Sequence, residues 1–136
     1  MRQLPPLDEA KLHLDNARTF LSEKADKQEG YYQNRKYVKI AGHAAYTGIL
    51  LALDALLDDG TSNKKKKSRK SVDWYKEELA KLDRKALDRF VAAYNTLHLS
   101  MGYDGNNDPK VSATGLDGAQ TLLDWIATRL QTKSVA

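Results

Sequence analysis

The sequence predicts a single all-α domain, an up-and-down four-helix bundle spanning residues 1-136, on three observations. The only prolines, Pro5, Pro6 and Pro109, fall at plausible element ends. The stretches between them lack the two-residue alternation and β-branched enrichment that strands need. Four long segments instead carry apolar stripes at helical spacing, separated by short or polar connections that favour antiparallel packing. At 136 residues the chain has the commonest single-domain size and can bury a core without staples.

The first helix is expected from Asp8, as N-cap, to Ala25. Pro5 and Pro6 close off any upstream continuation, and Ala10, Leu14, Ala17 and Leu21, with Phe20 beside them, form one stripe. Gly30 and its polar surroundings end it. The second helix is expected from Tyr31 to Leu57. One stripe runs Tyr37, Ala41, Ala44, Gly48, Leu51, Ala55, and a second runs Val38, Ala45, Ile49, Ala52, Leu56. Only Lys36, Lys39, His43, Thr47, Asp54 and Asp58 form a polar strip. A helix this apolar must be covered on several sides, so it is expected at the centre, with part of it facing a second subunit. Its small residues allow neighbouring helices to approach closely.

Asp58-Asp59-Gly60 stops that helix, and residues 58-70 form a basic linker. Ser71 caps the third helix. Asp83 offers another cap inside its pattern, predicting a kink or split near Leu82–Asp83. Beyond the break, Leu87, Phe90, Val91, Tyr94, Leu97 and Met101 share a face up to the turn signal Tyr103–Pro109. The last helix is expected from Val111 or Ser112 to Leu130, through Leu116, Ala119, Leu122, Leu123, Ile126 and Leu130.

Composition excludes several functions. With no cysteine there is no disulfide framework, thiolate metal site or cysteine nucleophile, which suits a reducing compartment. The start, MRQLPPLDEA, has no apolar core of a secretory signal. The uncharged run Ile40–Leu53 is shorter than the roughly 20 residues that span a bilayer. A cytoplasmic protein with no membrane association is expected. The net charge of +4 is local in origin: 22 basic residues less Lys64, Lys65, Lys66, Lys67, Arg69 and Lys70 leave 16 against 18 acidic, a balance of −2. Those six cations are the candidate nucleic-acid-binding residues, able to neutralise phosphates without reading sequence. The plainer reading is a solvating, self-repelling loop, and no aromatic is interleaved to stack on bases.

Of the histidines, His13 and His43 read as solvated surface or edge positions. His98 lies where polar and aromatic residues converge, in Tyr94-Asn95-Thr96-Leu97-His98 beside Tyr103 and Asp104, with a structural hydrogen bond the expected role. His98, Tyr103 and Asp104 are the candidate catalytic residues if there is catalysis at all. No two histidines lie at i, i+3 or i+4, so no metal pair is encoded locally, and no metal or cofactor is expected. Phosphate loops and hydrolase elbows have no matching sequence. Tyr31, Tyr32 and Tyr37 cluster at the entry to the second helix as core edge, or as the lining of a small-molecule pocket within the bundle.

The central run from Tyr37 through His43-Ala44-Ala45-Tyr46 to Ala52-Leu53-Asp54-Ala55-Leu56-Leu57, with the later Met101-Gly102-Tyr103-Asp104-Gly105, resembles the HEPN-like group of helical bundles. These are relatives of the substrate-binding subunit of nucleotidyltransferases, and the chain is similar to small bacterial members catalogued as domains of unknown function. The nearly all-round apolar second helix predicts a homodimer through the central or late-third helix, and the resemblance implies a nucleotidyltransferase-type protein partner. Ribonuclease members of the group end the third helix in a pattern like RNLIAHGY, whose Arg and His surround the scissile phosphate. This chain has Thr96 and Met101 at those positions, and of the pattern's functional side chains only Tyr103 carries over. Threonine supplies no fixed charge and methionine moves no proton. The expectation is a non-catalytic interaction or binding module, with a degenerate nuclease or nucleic-acid binder as the alternative.

Overall fold

The computed structural model describes residues 5–57 and 71–135. The stops at Asp58 and Asp59 and the basic linker, with all six candidate cations, lie outside them. The described chain is helical throughout except for one small hairpin. Helix α1, Pro6–Thr19, begins two residues before the expected cap. Pro5 takes the cap position, and Pro6 suits the first turn because its fixed φ is already helical and its missing N–H would have no partner there. Asp8 sits inside that turn with Glu9, where a carboxylate favours the helix N-terminus. The helix then widens into a π-helical turn, Phe20–Lys24, closed by Ala25 N–H donating to the Phe20 carbonyl.

The second helix was expected from Tyr31, but Tyr31 and Tyr32 instead form a strand. Strands β1, Lys27–Gln28, and β2, Tyr31–Tyr32, pair antiparallel with Lys27 opposite Tyr32. Both turn residues have positive φ, Glu29 at 52° and Gly30 at 85°, the two-residue turn whose twist matches a hairpin. Further backbone bonds tie the hairpin down. Tyr32 N–H donates to Asn107 O, Gln33 N–H to Asp26 O and Asn34 N–H to Ala25 O. These bonds hold the chain extended up to Asn34, so helix α2 runs Arg35–Leu57.

Helix α2 lies against α1, against the later π-helical segment and against the last helix. Its buried face is centred on Val38, Ala45, Ile49, Ala52 and Leu56, joined by Ala41, Gly42, Tyr46, Gly48 and Leu53. Tyr37, Ala44, Leu51 and Ala55 form its half-buried edge. By length and composition α2 could also cross a membrane, but half of its most apolar window is buried inside the molecule. A Cβ on Gly48 would stand 2.8 Å from the Ala10 carbonyl oxygen, so α1 and α2 cross almost in backbone contact.

Helix α3, Val72–Leu82, is capped by Ser71, whose hydroxyl accepts from Trp74 N–H at 3.0 Å. Asp83 breaks the run in extended conformation (φ −166°, ψ 121°) at the expected split. Its carboxylate then accepts from Ala86 N–H to start α4, Arg84–Ala93. Helix α4 continues as a π-helical segment, Tyr94–Tyr103. The four-residue spacing of the buried Ala93, Leu97 and Met101 exceeds the 3.6 of an α-helix, and the wider winding keeps them on one face. Helix α5, Pro109–Val135, starts earlier than expected because Asp108 caps it, accepting from Lys110 N–H, with Pro109 in the first turn. Its buried Leu116, Ala119, Leu122, Leu123 and Ile126 complete the core.

Candidate functional site

Arg35, Lys39 and His43 succeed one another at four-residue intervals along α2, so they stand on one face. With Lys36 and Ile40 they line one wall of an open groove of about 710 Å³, whose other wall is Gly102 and Asp104 at the end of the π-helical segment. Two glycines shape it. A Cβ on Gly102 would fall 2.9 Å from His43 Cε1, and one on Gly105 would fall 3.0 Å from Lys39 Cε. The backbone thus comes directly against the imidazole and the lysine stem. Gly105, at φ +64°, turns the chain there. Lys36 Nζ lies 5.4 Å over the Tyr37 ring. The wall therefore carries three fixed cations and a histidine facing one carboxylate.

Behind His43 lies a box of rings. The His98 ring centroid is 4.9 Å from that of Tyr46, 5.2 Å from Tyr94, 6.1 Å from Tyr103 and 5.7 Å from His43. The structural hydrogen bond expected of His98 is not made at Nδ1, which is buried with no partner among the described residues. Burial first, and His43 second, hold its pKa below the ordinary value, favouring neutral imidazole. Burial, with Tyr94 beside it, pushes the Tyr46 phenol up to about 12.

The three candidate catalytic residues reach the same end of the molecule but do not form a unit. His98 is set back in the ring box, Asp104 lines the groove and Tyr103 stands 69% exposed. Among the described residues no hydrogen bond joins any two of them. Met101 is fully buried, and Thr96 faces α5 at Gly115, where its Cγ2 lies 2.7 Å from the place a Cβ would occupy. His43 is exposed, as the sequence reading has it, and is the histidine that lines the groove. Its four-residue spacing from Lys39 and Arg35 was the available signal. His13 lies 3.9 Å from Glu9 on α1. Among the described residues no three His, Asp or Glu side chains gather as metal ligands.

The groove lies wholly within residues 6–128, which match the family model DUF5618, a domain of unknown function. The chain belongs to that family. It is similar to a solved structure described as a protein of unknown function from Dyadobacter fermentans. The two are 44% identical, with 92% of this chain and 95% of that one covered, at a TM-score of 0.81. No curated protein matches. In this DUF5618 chain the groove, the ring box and the hairpin all fall inside the family span.

Proposed function

We propose that the chain is a non-catalytic binding module that holds a short run of single-stranded nucleic acid in the groove between α2 and the π-helical segment. The observation that carries this reading is the convergence of Arg35, Lys36, Lys39 and His43 on one groove opposite the single Asp104. Cationic grooves track a phosphate backbone, and bases stack on exposed rings. Tyr103 lies between the two groove residues Gly102 and Asp104 and is largely exposed, so it offers that platform at the rim.

The experiment is fluorescence anisotropy with a labelled single-stranded oligoribonucleotide at several salt concentrations. Binding should fall steeply with salt. The double variant Arg35→Ala, Lys39→Ala should reduce the slope of log K against log salt by about 1.4, at roughly 0.7 per lost phosphate contact. Replacing Lys64 to Lys67 with serine should leave that slope unchanged. The reverse pattern would move the site to residues 58–70. Incubation with the same RNA should give no cleavage, and cleavage lost in His43→Ala or His98→Ala would restore the nuclease reading.

The same reading takes the helices as an up-and-down, HEPN-like four-helix bundle whose third helix is split at Asp83. It acts as a homodimer and presents its ligand to a nucleotidyltransferase-type partner. The half-buried Leu50, Leu51 and Leu57 on α2 support a self-association face. Light scattering across a concentration series should give the mass of a dimer, and a strictly monomeric particle would remove this part.

A further inference from the structure

A second cavity, of about 530 Å³, opens where the end of α1, the hairpin and the start of α5 meet. It shares no lining residue with the groove. We propose that it is a binding site for a small organic acid with an apolar or aromatic body, its carboxylate held by Lys27.

The size falls within the roughly 300–1,000 Å³ of small-molecule sites, and its make-up matches their pattern of an apolar bed with a few placed polar groups. Leu21 and Leu116 form the bed. Each belongs to the core yet keeps 6% of its surface exposed. Tyr32 and Pro109 extend the bed from either side. An apolar body would cover what the helices leave open.

The rim selects the polar end. The Arg18 guanidinium is already engaged, 3.5 Å from Asp15 and 3.3 Å from Gln120. Asp117 adds one negative charge at the mouth. Lys27 makes no side-chain hydrogen bond or ion pair among the described residues, so it is the cation open to a ligand. The Tyr32 phenol, whose pKa burial raises, stays a protonated donor at neutral pH. An ammonium and a phenol together favour an oxygen anion over a cation or an unsubstituted hydrocarbon.

The hairpin wall is set before any ligand arrives. Its two-residue turn is closed by residues at positive φ, and its outer strand is bonded to Asn107 just before α5. Lys27 and Tyr32 are register partners across it, so both are carried to the cavity by one rigid element. Preformed placement lowers the cost of ordering side chains on binding.

The test is a titration of the full chain with phenylpropionate and, separately, with its neutral amide, monitored by backbone amide NMR shifts. In the wild type, phenylpropionate should shift the amides of Leu21, Tyr32 and Leu116 saturably, and the amide ligand should bind about tenfold more weakly. Lys27→Gln should remove that difference by weakening only the acid. Ala113→Trp, at an exposed position lining the cavity, should block both ligands while leaving the melting temperature and oligonucleotide binding in the groove unchanged. Equal affinity for acid and amide in the wild type would overturn the proposal. So would the absence of saturable shifts at those three amides, or binding that survives Ala113→Trp.

Discussion

His98 is half-buried beside Tyr46 from α2 and Tyr94 and Tyr103 from its own segment, with His43 facing it from α2, and this burial disfavours its charged form. Its pKa in the folded chain lies below the ordinary 6.5, so below that pH the unfolded chain binds more protons. The neutral ring's contribution is therefore complete above pH 6.5 and lost as the pH falls toward the lowered value. Melting temperature should drop on acidification from about pH 7.5 to 5.5, and His98→Phe should flatten that drop. An unchanged drop in His98→Phe would assign the acid sensitivity to other groups. A second residue test concerns Tyr75, a buried ring whose hydroxyl donates to Asp54 at 2.7 Å. Tyr75→Phe should lower stability by about 1–2 kcal/mol, read by urea denaturation, because one charge-assisted bond goes while the ring stays packed.

Where α2 crosses the π-helical segment, a single hydrogen atom sets the helix spacing. A Cβ on Gly42 would stand 2.5 Å from Leu97 O and 2.8 Å from Gly102 N, both backbone atoms that cannot rotate away. Gly42→Ala should therefore cost about 1–3 kcal/mol and weaken oligonucleotide binding, since the displaced segment carries the groove's second wall. Normal stability in this variant would show that the crossing has slack. At the helix break, Asp83→Ala should cost about 1 kcal/mol through the lost cap. This break, the Ser71 cap and the buried stripes of α2 and α5 were legible in the residues because caps and 3.6-residue periodicity are local signals. The hairpin was not, since two-residue strands are too short to show alternation and Glu29–Gly30 also reads as a helix end. The π-helical segments were hidden for a related reason. Apolar residues four apart, such as Ala93, Leu97 and Met101, suit an α-helix nearly as well.

At the scale of the whole molecule, the candidate site was half legible. Tyr103 and Asp104 stand out in the sequence and do reach the groove's end of the molecule. His43 is solvent-facing as its sequence position suggests, and its spacing from Lys39 and Arg35 is visible there, but its contact with Gly102 is not, because the two are distant in sequence and adjacent only after folding. Neutralising Lys64 to Lys67 with serine would take the formal charge from +4 to 0. The melting temperature should stay nearly constant, since a segment with no apolar residue between Asn63 and Lys70 has little to contribute to the core. A large fall would mean that these lysines pair with acidic groups of the helices. The winding of Tyr94–Tyr103 carries a further consequence, for inheritance. Each residue of a helix rotates the chain beyond it by a large fraction of a turn, about 100° in an α-helix and somewhat less in the wider π winding. Losing one codon there would swing Gly102 and Asp104 away from His43 while leaving every other residue's identity intact. Insertions and deletions in this stretch, more than substitutions, are thus the changes by which relatives would re-aim the groove or close it.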